Sequence, residues 1–146
     1  MRGWAYFDTS AVVKLYVEEP GSEHVHTLAA RNRPLSSVFL SVEVVSALAR
    51  RQRSGDLSGD ARDAALGNFR KDLPSFDLVE LTADIRRRAE TALLSYSLRT
   101  LDAIHIASAL FMREALSLTG LPFITSDRRQ QQGAILAGLE VLLVPT

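Results

Sequence analysis

The sequence predicts an α/β fold: a single domain over residues 1–146, built on a mostly parallel sheet with helices on both faces. Three observations carry that prediction. Short apolar runs suited to buried strands alternate with stretches of helical period. Pro and Gly are scattered as turn punctuation and never gather into a linker. A length of 146 residues is that of one domain. Strands separated by helices need crossovers, and crossovers make parallel neighbours.

The elements follow in order. Residues 4–7 form a short apolar run ending at Asp8, as a buried strand does. From Ser10, the residues Val12, Val13, Tyr16 and Val17 keep a helical spacing until Glu19-Pro20-Gly21 stops it. Ser22 is expected to cap a second short helix reaching about Arg31. Residues 36–40 read as a short strand, or as its entry into a helix capped by Ser41. The apolar face of that helix is Val44, Val45 and Leu48, and it ends in Arg-rich sequence before Gly55. Residues 58–73 are helical, with Leu66 and Phe69 three apart, and 76–81 alternate as a strand. Thr82 caps a helix to about Tyr96, and Thr100 opens another with a broad apolar face. Residues 121–125 form a strand, 128–137 a short helix and 140–144 the last strand.

Composition removes several classes of function. Apolar residues at 47% and charged residues at 23% exclude a disordered chain. With no Cys there is no disulfide, zinc ribbon, iron–sulfur cluster or catalytic thiol. The 17 basic residues balance 17 acidic ones, which excludes a generally polycationic nucleic-acid binder and leaves room for local basic patches. All the basic residues except Lys14 and Lys71 are Arg, whose fork suits phosphate. No apolar run approaches a membrane span, and the acid at position 8 spoils a signal peptide, so a cytoplasmic protein is expected.

The chemistry sits in four acids. In open parallel sheets, ligands bind beyond the carboxyl ends of the strands. Asp8 follows the first strand and Asp127 follows residues 121–125. Glu43 and Asp102 fall in the first turns of their helices. Each alone is also what a turn former, an N-cap or a first-turn acid looks like. Gathered in one cleft they would repel one another, a conflict that a hard cation such as Mg²⁺ resolves with oxygen ligands. The His spacing does not suggest zinc. Arg128 and Arg129, next to Asp127, are candidate substrate contacts, whereas Arg50, Arg51 and Arg53 suit a helix C-terminus. His105, one turn from Asp102, is read as a structural hydrogen-bonding residue in preference to a general base. Trp4 and Tyr6 are expected in the core or an interface, while Leu15, Tyr16 and Leu48 suit either an exposed groove or the core.

Phe7-Asp8-Thr9-Ser10, Ser41-Val42-Glu43, Leu98-Arg99-Thr100-Leu101-Asp102-Ala103-Ile104-His105-Ile106-Ala107 and Thr125-Ser126-Asp127 together resemble the acidic motifs of PIN-domain nucleases. The nearest subset is the VapC-type toxins of toxin–antitoxin pairs, and the resemblance runs from Asp8 almost to the final strand. It implies that Asp8, Glu43, Asp102 and Asp127 hold Mg²⁺ or Mn²⁺ and form the catalytic set. It also implies that Ser10 and Thr125 support that site and that Arg99 is a basic residue able to meet phosphate. The implied activity is endonucleolytic cleavage of RNA (tRNA, rRNA or mRNA) by metal-activated water. The implied partners are a second copy of the chain and a small cognate antitoxin protein. One departure is visible: the family commonly has Leu three residues after the last Asp, where this chain has Gln130.

Three other readings are weaker. A haloacid-dehalogenase-type phosphatase needs a second Asp two residues after the first, where Ser10 stands, and a downstream Lys. A receiver-type phospho-acceptor also needs a Lys after a late strand, and none is there. A non-catalytic PIN-like binding module would be expected to have lost acids, and all four are present.

Overall fold

The computed structural model describes residues 2–146. Its elements in chain order are β1 (Gly3–Phe7), α1 (Thr9–Val13), α2 (Ser22–Arg31), β2 (Asn32–Ser37), α3 (Leu40–Arg53), α4 (Gly59–Asp72), a 3₁₀ turn (Leu73–Ser75), β3 (Asp77–Val79), α5 (Ala83–Ser95), α6 (Thr100–Ala115), β4 (Pro122–Thr125), α7 (Arg128–Leu136) and β5 (Glu140–Leu143). All sheet pairings are parallel, in the order β3-β2-β1-β4-β5. No helix is long and apolar enough to cross a membrane among the described residues.

The chain winds outward from β1 to β2 and β3, then returns to the other side of β1 for β4 and β5. Right-handed crossovers put the helices of the two directions on opposite faces. One layer of core accordingly joins α1, α2, α3 and α4, and the other joins α5, α6 and α7. Alternation along β1 serves both layers: Ala5 and Phe7 enter the first and Tyr6 the second, all fully buried. Tyr6 stacks on Phe123, its register partner in β4, with ring centroids 5.4 Å apart. Between β1 and β4 the winding reverses, and this is where an open α/β sheet leaves a crevice at its carboxyl edge.

The predicted α/β class holds, with local differences that have physical reasons. β2 begins at Asn32, not Ser36, because Asn32–Leu35 pair with Gly3–Tyr6. Its polar start hides it: Arg33 lies 3.7 Å over the ring of Trp4, its register partner, and Pro34 precedes the stretch paired with β3. β3 is only Asp77–Val79, a short edge strand. Ser22 does not cap α2; Gly21 does, and the Ser22 hydroxyl donates to the Val17 carbonyl and accepts from the Glu19 amide. α3 starts at Leu40, one residue before Ser41, with Phe39 as its N-cap. Ser58 and Thr82 cap α4 and α5, as their sequences lead one to expect. Leu48 is buried, and Leu15 and Tyr16 pack against the same core, so these three do not form an exposed groove.

Gly21 has φ +91°, and a Cβ there would stand 2.3 Å from the Pro145 carbonyl oxygen. Gly21→Ala should therefore lower stability by on the order of 2 kcal/mol, through backbone strain and the clash together. Urea denaturation measures this, and an unchanged midpoint would contradict the packing described.

Candidate active site

The crevice is a cleft of about 840 Å³, lined by Asp8, Glu43, Asp102 and Asp127 among others. Asp8, Glu43 and Asp127 reach it from strand-to-helix junctions at the carboxyl edge of the sheet, and Asp102 from the first turn of α6, which follows α5.

Asp8 directly follows β1 and is the N-cap of α1. Its Oδ1 accepts from the Ser10 hydroxyl at 2.6 Å and the Ala11 amide at 3.1 Å, and its Oδ2 accepts from Thr125 at 2.5 Å. The same hydroxyls accept from the turn after β4: the Ser126 amide donates to Ser10 at 3.0 Å, and the Asp127 amide to Thr125 at 3.1 Å. Ser10 and Thr125 thus lock Asp8 to the segment that carries Asp127. Burial pushes the Asp8 carboxyl above its ordinary range, against the opposing pull of His105, Ser10 and Thr125.

Asp127 caps α7, its Oδ1 accepting from the amides of Arg129 and Gln130. Asp102 stands half-buried in the first turn of α6, and burial followed by repulsion from Asp127 raises its pKa. Gln130, which departs from the Leu common in the resembled family, is fully buried. Its Nε2 donates to the Asp102 carbonyl at 3.2 Å, while its Oε1 has no partner among the described residues. An amide, in place of an aliphatic contact, ties α7 to α6.

Glu43 lies in the first turn of α3 and its Oε1 is 2.8 Å from Nε2 of His105. His105 is buried on α6, with Nδ1 2.8 Å from the Tyr6 hydroxyl and Thr9 Oγ1 3.3 Å from Nε2. The Tyr6 hydroxyl stays protonated, since burial pushes it well above its ordinary value. Burial opposes a charge on His105, yet the hydrogen bond and charge of Glu43 raise its pKa. The structural reading of this histidine is the one the geometry supports: it orients Glu43.

The oxygen-only donor set is that of a hard cation. Asp8 uses three of about four acceptor sites, and Glu43 and Asp127 each keep an oxygen with no protein hydrogen bond among the described residues. Among those residues no three acidic or histidine side chains already form a cage. Mg²⁺ does not demand one, because it is held by one or two carboxylates and keeps its waters. The residues present therefore fit such an ion.

Of the expected substrate contacts, Arg99 lines the cleft, whereas Arg128 and Arg129 are exposed in the first turn of α7 outside the lining. Lys14, Glu19, Arg50 and Arg51 also line it, although none was picked out for the site from sequence. Glu43 and Arg50 are seven apart, two turns along one face of a helix, and that spacing was the available signal.

The PIN domain family model matches residues 5–136. The chain belongs to the PIN domain family. It is 37% identical over 141 residues to Ribonuclease VapC45 and to Ribonuclease VapC49, both of Mycobacterium tuberculosis, covering 93% of this chain and 92% of each relative. The fold of this PIN domain also resembles a solved toxin–antitoxin complex from Klebsiella pneumoniae, with a TM-score of 0.66 and 22% identity over 94% of this chain and 95% of that one.

Two predictions follow from the geometry of this PIN domain. His105→Ala leaves the Tyr6 hydroxyl buried without its partner and unties Glu43, a loss of about 2 kcal/mol that chemical denaturation should detect. Asp102→Asn removes a carboxylate whose folded pKa is raised. Such a group lowers stability once pH climbs past its unfolded value of about 4 and through the folded one. The metal-free variant should therefore melt above the wild type at pH 7, and the gap should close on acidification below about pH 4. A gap that widened in acid would reverse the assignment.

Proposed function

We propose that this chain is a Mg²⁺- or Mn²⁺-dependent endoribonuclease and the toxin of a toxin–antitoxin pair, acting in the cytoplasm. The observation that carries the reading is the convergence of Asp8, Glu43, Asp102 and Asp127 on one cleft at the reversal point of the sheet. It is supported by relatives named as VapC ribonucleases and by a fold neighbour solved as a toxin–antitoxin complex. A small antitoxin protein is accordingly the expected partner, and RNA (tRNA, rRNA or mRNA) the expected substrate.

Asp8, Asp102, Asp127 and Glu43 would hold the cation, one or two directly and the others through its waters, with Ser10 and Thr125 fixing the Asp8 carboxylate. A bound divalent ion supplies charge neutralisation at the scissile phosphate and lowers the pKa of water. His105 keeps Glu43 turned toward α6, so that its second oxygen is available to orient water or take its proton. No side chain needs to form a covalent intermediate. Arg99 meets substrate phosphate from the lip of α6, and Arg128 and Arg129 lie outside the cleft as secondary contacts. A second copy of the chain would cover exposed apolar side chains such as Leu94 of α5 and Ile135 and Leu136 of α7.

Purified, antitoxin-free protein incubated with total RNA and Mn²⁺ should give discrete fragments. EDTA should abolish them, and Asp8→Asn should slow their appearance at least about 100-fold. Fragments that persist in EDTA or in the variant would sink the reading.

A further inference from the structure

The cleft must admit a polyanion although five carboxylates line it, Glu19 besides the four acids of the site, so cations have to stand beyond the acids. Four basic side chains reach the lining: Lys14, Arg50, Arg51 and Arg99. Two are already engaged, sharing one carboxylate, so the trio keeps a single net positive charge. Arg51 holds both carboxylate oxygens of Glu19, at 2.6 and 3.3 Å, and Lys14 donates to Glu19 at 3.2 Å and to the Pro20 carbonyl at 2.7 Å. Burial works against that charge, yet these two cations hold Glu19 below the usual carboxylate range. Arg50 and Arg99 are exposed and make no ion pair among the described residues.

These two stand on different walls. Arg50 belongs to α3 in one helical layer, seven residues past Glu43, so it shares that face two turns, or roughly 10 Å, further on. Arg99 is the N-cap of α6 in the other layer, three residues before Asp102. Among the described residues no Phe, Tyr or Trp lines the cleft, so the grip falls on the backbone and not on base stacking. Its volume of about 840 Å³ has room for a short stretch of strand.

We propose that Arg50 and Arg99 form a two-walled clamp on the phosphates flanking the acids, a backbone subsite for single-stranded RNA. This deepens the nuclease reading and rests on it for the identity of the strand. The guanidinium fork gives each Arg a two-point hold on a phosphate that Lys does not reproduce.

The test is binding of a fluorescein-labelled oligouridylate to the wild-type chain in EDTA, read by anisotropy across about 50 to 200 mM salt. Arg50→Ala and Arg99→Ala should each weaken binding roughly five- to tenfold and lower the log–log salt slope by about 0.7, one phosphate contact on a single strand. Arg50→Lys should keep the slope and still bind more weakly than wild type. Arg53→Ala removes the same charge from the same helix outside the cleft and should change neither quantity. The clamp is overturned if either Ala variant keeps the wild-type slope, if Arg53→Ala matches Arg50→Ala, or if the wild type does not bind the oligonucleotide. Cleavage assays separate the two readings. RNA cut with Mn²⁺ but unmoved slopes would retain the nuclease and remove the clamp. Moved slopes without cutting would do the reverse.

Discussion

The carboxylate of Asp8 is buried where β1 and β4 part, and three donors from two segments of chain hold it there. Ser10 and Thr125 each donate to Asp8 and accept an amide from the turn that leads to Asp127. One charged group thus fixes the geometry of the β1–α1 and β4–α7 junctions together. An apolar replacement would relieve the desolvation of Asp8 and lose the register between the two acids nearest the sheet. The arrangement is costly for folding and useful for an ion, the balance expected at a functional site and not in a core.

Everything else in the site is positioned against that bridge. The sheet order forces α3 and α6 into opposite layers, and their first turns meet over the reversal point, bringing Glu43 and Asp102 to the same cleft. Two tethers set how they meet. His105 crosses from α6 to Glu43 on α3, backed by the Tyr6 hydroxyl from the central strand, and Gln130 crosses from α7 to the backbone of Asp102. The raised pKa values of Asp8 and Asp102 record the same tension: burial acts on both carboxylates, and repulsion from Asp127 adds to it at Asp102.

The parts legible in the sequence were those with strong local signals. Apolar runs ending in Asp8 and Asp127 marked the two strands at the crevice, and the capping residues Ser58 and Thr82 marked helix starts that the structure keeps. The four acids were readable because each follows such a signal. What was hidden depends on partners distant in sequence. The polar start of β2 is a strand only because β1 lies beside it, with Arg33 covering Trp4. The Ser22 hydroxyl serves a loop and not its helix, since Gly21 provides the left-handed turn. The basic wall of α3 was masked because Arg50 and Arg51 also suit a helix C-terminus, and only the fold shows that Glu19 engages one and leaves the other free.

In the proposed site, Ser10 and Thr125 hold Asp8 ready for a cation. Calorimetric titration of Mn²⁺ into wild type and Thr125→Val tests this directly, since valine preserves the shape and removes the hydroxyl. A folded variant whose Mn²⁺ affinity falls about 10- to 100-fold is the predicted result, the usual penalty for losing a group that orients a metal ligand. A folded variant with wild-type Mn²⁺ affinity would contradict it.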